Sequence, residues 1–277
     1  MKTLNDENLN IKQDKYANID IDEMLKGDKK IVAFLGTSKS GTSFIVNNLA
    51  ELISNRGVDV AILDATTNKG AYYIYTKNQE RLRKIAVSSI ENLTDGVSDG
   101  IKVNNNLTVY TTMPGEDKYI GEVEPILETL IKNHSLILID CDFSTPEKYF
   151  KYVQEIYLIQ SMDVLSIQPL TEALLKFEEN DILDEGKLRV IINKFVEVDS
   201  ITIKDILGGI AFYNDPNMYY MKQLFDKNTV KYITIPFKQE IYEIYIEQEA
   251  NCNIKIKDYD DEILSIFEQL GRDIFTF

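Results

Sequence analysis

The 277-residue chain has no tryptophan, one histidine and two cysteines, and its 30 Lys and Arg are outnumbered by 45 Asp and Glu. A single histidine, His134, leaves no material for a histidine-rich metal site or a Ser-His-Asp triad. Cys141 and Cys252 are far apart and lack zinc-ligand spacing, so they read as incidental thiols of a reduced, cytoplasmic chain. The net charge of −15 repels a nucleic-acid backbone, and with no Lys/Arg run DNA is not expected as a partner. No apolar run reaches the roughly 20 residues of a membrane span, and the amino terminus has no apolar signal segment. Stable membrane insertion is therefore not expected.

What is present is a chain with 44% hydrophobic residues, enough for a sizeable core. Residues 1–28 are polar and rich in Asn, Asp and Lys, and read as a flexible leader or docking arm; a short helix around Ile19 to Leu25 is the alternative. Residues 29–277 read as one domain in which short apolar runs alternate with amphipathic helices. That alternation predicts βαβ units, hence an α/β fold of three layers around a mostly parallel central sheet. Strands are expected at Ile31 to Leu35, Val58 to Leu63, Leu136 to Ile139, Glu155 to Ile159, Leu188 to Ile192 and Tyr232 to Ile235. Val103 to Thr111 reads as an edge or added strand, and residues 68–90 as a Tyr-rich loop followed by a helix. Helices are expected over Thr42 to Asn55, Glu122 to Lys132, Leu170 to Phe177 and Asp260 to Phe275. The last of these has an acidic polar face, which favours docking on the core over lying on a membrane.

Three strands end in Asp64, Asp140 and Asn193. In an open α/β sheet, ligands bind at the carboxyl ends of the strands, so these residues should converge on one crevice. The first strand runs into Gly36-Thr37-Ser38-Lys39-Ser40-Gly41-Thr42-Ser43, which has the glycine spacing of a phosphate-binding loop, G-x-x-x-x-G-K-[ST]. Ser43 occupies the magnesium-binding hydroxyl position, but Thr42 stands where the lysine belongs. Such a loop holds phosphate chiefly through backbone N–H groups at a helix N-terminus, and none of that needs a lysine. What is lost is a point charge on the terminal phosphates. Lys39 is one candidate to replace it. A strand-to-helix turn that binds nothing is the simpler reading, still open at this point.

These motifs, in this order, resemble the ParA/MinD family of deviant Walker-A ATPases over most of residues 29–277. The family loop reads K-G-G-x-G-K-[ST], and Thr37 and Thr42 replace both of its lysines. The family's D-x-D strand end is Asp64-Ala65-Thr66 here, and its D-C-x-P strand end is Asp140-Cys141-Asp142. Val190 to Lys194 is similar to the strand whose Asn contacts adenine, and Thr234 to Phe237 to the I-P-[FY] turn lining the adenine pocket. The resemblance implies a P-loop NTPase fold with ATP and Mg2+ as cofactors. It implies that Asp64 positions the attacking water, that Asp140 and Ser43 serve the metal, and that Asn193 and Pro236 serve the base. It also implies a homodimer that assembles or localises a protein partner complex. With both lysines lost, the expected function is a nucleotide-binding or pseudo-ATPase scaffold, with weak hydrolysis at most. TadZ-like localisation factors and ParA-like accessory proteins of mobile elements are the subfamilies that fit. The alternative is an active ParA-type positioning ATPase with Lys39 as surrogate. A tyrosine kinase of the same nucleotide fold is a third reading, which the scattered positions of the 16 tyrosines disfavour. Residues Ile206 to Phe225, with Tyr219, Tyr220, Met221, Leu224 and Phe225, read as an insertion that either binds a partner or packs on the sheet.

Overall fold

A computed structural model describes residues 21–25, 27–115, 123–163, 185–207 and 230–277, with scattered positions between 170 and 182. Eight strands form one sheet: β1 (Lys30–Gly36), β2 (Val60–Asp64), β3 (Ile101–Lys102), β4 (Leu107–Tyr110), β5 (Leu136–Cys141), β6 (Glu155–Gln160), β7 (Leu188–Phe195) and β8 (Tyr232–Pro236). Their spatial order is β3-β4-β2-β5-β1-β6-β7-β8, parallel throughout except for the β3–β4 pair. β1 lies at the centre, between β5 and β6, so its carboxyl end opens where the chain switches from one side of the sheet to the other.

The central strands are apolar on both faces because helices cover both faces. Along β1, Ile31, Ala33 and Leu35 point into one core layer and Val32 and Phe34 into the other, the period of two that a pleated strand imposes. One layer is closed by the helix Val123–Asn133 and by Ile21 of the short helix Ile21–Met24. The other is closed by helices Thr42–Asn55 and Asp261–Ile274. Gly57, at φ 93°, ends the first of these as a left-handed cap, its N–H bonding the Ser54 carbonyl. Asp260 starts the second, accepting from the Ile263 N–H at 2.9 Å. Ile263, Phe267, Leu270 and Ile274 on its inner face are all buried, so this helix docks on the core. Among the described residues no helix is long and apolar enough to cross a membrane.

Two segments differ from the sequence expectation. The Tyr-rich stretch is helical: Gly70–Thr76 forms one helix and Glu80–Thr94 a second. The side chain of Asp64 accepts from the Ala71 N–H in the first turn, and left-handed Lys77 and Asn78 end the helix. Such long-range capping has no local sequence signal. The single strand expected over Val103 to Thr111 is instead a hairpin, β3–β4. Its turn is set by Asn104, whose side-chain oxygen accepts from the Asn106 N–H at 2.8 Å. The expected insertion is described only to Leu207. Its aromatic residues Tyr219, Tyr220 and Phe225, with Met221 and Leu224, lie outside the described residues, as do residues 1–20 of the leader.

Candidate functional site

The carboxyl end of β1 delivers Gly36 into a tight loop that returns at Thr42 to begin a 14-residue helix. The loop closes on itself through the Ser40 N–H, which donates to the Thr37 carbonyl at 3.0 Å. Lys39 and Gly41 both adopt left-handed conformations, at φ 66° and 96°. The two glycines are demanded by crowding as well as by torsion. A Cβ on Gly36 would sit 2.3 Å from Thr42 Oγ1 and 2.4 Å from Ser40 Oγ, and one on Gly41 would sit 2.1 Å from Asn193 Nδ2. Thr42 is buried, with its hydroxyl 3.2 Å from that of Ser40. The lysine position is thus filled by a short side chain packed inside the loop.

The loop borders a cavity of 790 Å³, within the range of small-molecule and cofactor sites. Gly36, Thr37, Ser38, Lys39, Gly41, Thr42, Ser43, Asp140, Asn193 and Pro236 all line it, so residues scattered through the sequence meet in one crevice. Ser40 and Asp64 stand behind the wall. Ser43 Oγ, in the first turn after the loop, donates to Asp140 Oδ2 on β5 at 2.7 Å. Asp140 is 4% exposed, and its Oδ1 is buried without a hydrogen-bond partner, as is Thr37 Oγ1. Buried polar atoms of native proteins are rarely unpaired, and both of these belong to residues that line the cavity.

Burial, the neighbouring Asp64 and the nearby Asp142 push the Asp140 carboxyl up to about 8, against the hydrogen bond from Ser43 and the charge of Lys69. A hard divalent cation would relieve that repulsion. The oxygen donors of Ser43 and Asp140 suit Mg2+, which keeps most of its waters and takes further ligands from phosphates. Among the described residues no group of three or more His, Cys, Asp or Glu could hold a metal, so substrate oxygens would have to complete the shell. Cys141, next in sequence, is buried and its thiol pushed well up by burial and by Asp140, which makes it unreactive.

Asp64 has a different environment. It is completely buried, and burial raises its carboxyl while Thr66, Lys69 and Ala71 hold it down. Oδ1 accepts from Thr66 Oγ1 at 2.6 Å and from the Thr66 N–H at 3.2 Å; Oδ2 accepts from the Ala71 N–H at 3.0 Å and Thr111 Oγ1 at 3.2 Å. Four donors thus tie it to the loop after β2, to the helix Gly70–Thr76 and to the residue after β4. It pairs in register with Asp140 on β5 but does not reach the cavity wall.

The far end of the crevice is apolar. Ile235, Pro236 and Phe237 come from β8 and the residue after it, and Ile241, Tyr242 and Tyr245 from the helix Gln239–Ala250. Phe44, from the first turn after the loop, meets Tyr245 edge to face with ring centroids 4.9 Å apart. Asn193 Nδ2 is committed to the loop, donating to the Ser40 carbonyl at 2.8 Å, so its amide braces the phosphate loop.

Several residues of this site gave no sequence signal. Lys69 is 4% exposed, with a left-handed backbone at φ 49°, and its charge acts on both Asp64 and Asp140. Lys194 donates to the Lys39 carbonyl at 2.9 Å. Asp142 ties the two acidic strand ends together, accepting from the Thr67 N–H at 2.6 Å and the Ser144 N–H at 2.8 Å. A charge beside a motif is the one hint the sequence offers for such contacts, and it does not distinguish them from ordinary surface.

No protein-family model matches the chain, and no curated protein matches it by sequence. Solved structures do match. A plasmid partition protein of Borrelia burgdorferi bound to AMPPNP is 19% identical, with a TM-score of 0.61 over 87% of this chain and 99% of its own. The ATP complex of a point variant of Cyanothece McdA is 14% identical, with a TM-score of 0.64 over 90% of this chain and 96% of its own. The MinC:MinD cell division complex of Aquifex aeolicus is 14% identical, with a TM-score of 0.56 over 87% of this chain and 95% of the matched chain. At these identities the likeness speaks to fold. The chain has the P-loop NTPase fold of ParA- and MinD-type ATPases, an α/β sheet of eight strands with one antiparallel edge.

Proposed function

We propose that the chain binds a purine nucleoside di- or triphosphate in this crevice and works as a nucleotide-responsive scaffold with little or no hydrolysis. The observation that carries the reading is a cavity of 790 Å³ bordered by a phosphate-type loop at the carboxyl end of β1, with Ser43 and Asp140 joined beside it at 2.7 Å. A bound phosphate would accept from the N–H groups at the start of the helix Thr42–Asn55. Ser43 and Asp140 would hold Mg2+, which when bound neutralises charge on the terminal phosphates. The base would lie against Pro236, Phe237 and Tyr245, whose apolar surfaces suit a stacked aromatic ring.

The weak-hydrolysis part rests on Asp64. A residue that positions water must reach the reacting phosphate. Asp64 is instead bonded to four donors behind the wall, and no lysine stands at the loop's usual position to stabilise transition-state charge. Asp64 therefore acts as a structural brace linking β2 to the helix Gly70–Thr76. The nucleotide state then serves assembly: a homodimer that recruits or positions a protein complex, as the ParA/MinD-like fold and the acidic surface suggest, without DNA. Phosphate release from Mg-ATP, measured beside a buffer blank, tests this. Turnover at background alongside saturable binding supports the scaffold. Steady turnover that disappears in Asp64→Ala would return Asp64 to a catalytic role and make the chain an active positioning ATPase.

A further inference from the structure

The helix Gln239–Ala250 is apolar on two sides. Its inner side buries Ile241 and Gln248, and Ile241 and Tyr245 line the crevice. On its outer side Tyr242, Ile246 and Ala250 follow one another at intervals of one turn and form a stripe along the helix. Tyr242 is 51% exposed and Ile246 45%. Among the described helices of eight or more residues, no other leaves a large apolar side chain exposed. Phe237, just before the helix, is also exposed and shares the cavity wall with Tyr242. Acidic residues border the stripe. The helical repeat puts Glu249 on one flank and Glu240, Glu243 and Glu247 on the other, and the helix has no Lys or Arg. Glu243 and Glu247 are like charges one turn apart, and Glu247 and Glu249 lie in the last turn, where the helix dipole disfavours anions. Both arrangements destabilise the helix on its own, and a cationic partner would relieve both.

We propose that the outer face of Gln239–Ala250 docks a basic amphipathic helix of a partner protein, with the partner's apolar side on Tyr242 and Ile246 and its Lys or Arg side chains on the flanking glutamates. Apolar anchors one turn apart are how helices are recognised, and complementary charges around them fix the choice of partner. Other occupants suit the face less. An anionic lipid surface or a nucleic acid would meet four glutamates on a chain of net charge −15. A second copy in a two-fold contact would set the same glutamates against one another. Docking stands without the nucleotide reading given above, but its response to nucleotide rests on that reading. Ile241 and Tyr245 face the cavity, Ile246 faces outward and Tyr242 belongs to both surfaces, so nucleotide and partner act on one helix.

The test uses the full chain and a fluorescent probe peptide of about 18 residues, long enough to hold a helix, with leucines on one face and lysines elsewhere. Its binding is read by fluorescence anisotropy, beside a scrambled peptide and one with glutamate in place of lysine. The lysine probe should bind at about micromolar Kd and weaken with salt, and the two controls should not bind. Ile246→Ser should weaken it by about tenfold or more, and Glu243→Lys with Glu247→Lys by at least as much. These side chains are exposed and do not line the cavity, so both variants should keep the parent's melting temperature and nucleotide binding. Mg-ATP should change the probe's Kd by about fivefold or more. An unchanged Kd with calorimetry showing the nucleotide bound overturns the response, whereas no nucleotide bound overturns the nucleotide reading and leaves docking to be judged by the probe alone. No binding of the probe, equal binding of the scrambled peptide, or parent-like affinity in both variants overturns docking. So does attachment to phosphatidylglycerol vesicles, or a dimer in light scattering, that Ile246→Ser abolishes, since the face would then meet a membrane or a second copy.

Discussion

Asp140 should make the metal-free protein less stable as pH rises through neutrality. Its carboxyl is pushed up to about 8 by burial, by Asp64 on the neighbouring strand and by Asp142, while Ser43 and Lys69 act in the opposite direction. In the unfolded chain an aspartate ionises near 3.8. Between those two values the folded chain keeps a proton that the unfolded chain has released, so raising the pH favours unfolding until the folded carboxyl ionises. The stabilisation is complete below the unfolded value and lost as pH climbs through the folded one. From pH 6 to pH 8 the loss from this group comes to about 2 kcal/mol, starting at about 1.4 kcal/mol per unit and flattening as the carboxyl titrates. Asp140→Asn keeps the shape and removes the proton equilibrium. Urea unfolding of parent and variant in EDTA at pH 6, 7 and 8 isolates the Asp140–Asp64 pair, because the titrating groups away from it are shared. The parent should lose about 2 kcal/mol relative to the variant over that range. Mg2+ needs the ionised carboxylate, so adding it should stabilise the parent more at pH 8 than at pH 6 and leave the variant nearly unmoved. Parallel stability profiles for the two proteins would refute the placement of a protonated Asp140 beside Asp64.

Three further outcomes follow from the geometry. Gly41→Ala puts a methyl 2.1 Å from Asn193 Nδ2 at φ 96°, so the loop must shift; thermal melting should show a loss of about 1–3 kcal/mol together with weaker nucleotide binding. Phe44→Ala removes a ring packed edge to face on Tyr245, Tyr259 and Phe267, and denaturant unfolding should register about 3–5 kcal/mol. Lys69→Met removes the cation that lowers both buried carboxyls, so the pH midpoint for Mg2+-dependent stabilisation should move upward; an unchanged midpoint would place the ammonium away from the pair.

The parts of this molecule that were legible in the sequence are those with local causes. β1, β2, β5, β6 and β7 are apolar runs too short for helices, and burial on both faces made them near-continuous rather than alternating. Gly36 and Gly41 announced the loop because their spacing reflects backbone crowding, and the strand-end positions of Asp140 and Asn193 announced the crevice. What the sequence concealed depends on contacts between distant segments. Asp64 sits at the strand end where a catalytic carboxylate belongs, and its neighbours in sequence do not announce its four donors, one of them from Thr111 just past β4. Asn193, expected from the resemblance to meet a base, lines the cavity and also donates to the Ser40 carbonyl, a contact that its neighbours in sequence do not announce. Lys194 looked like any lysine following a strand. Its left-handed backbone is a tertiary compromise, and no residue preference marks it in advance.

Whether the loop Gly36 to Ser43 binds phosphate with threonine at position 42 decides between a nucleotide site and a bare turn. The direct measurement is calorimetric titration of the purified chain with Mg-ATP and Mg-ADP, with light scattering at each endpoint. Saturable binding of one nucleotide per chain, with dimer formation in ATP, is the predicted result. A flat titration with both nucleotides would contradict it and reduce the loop to a strand-to-helix turn.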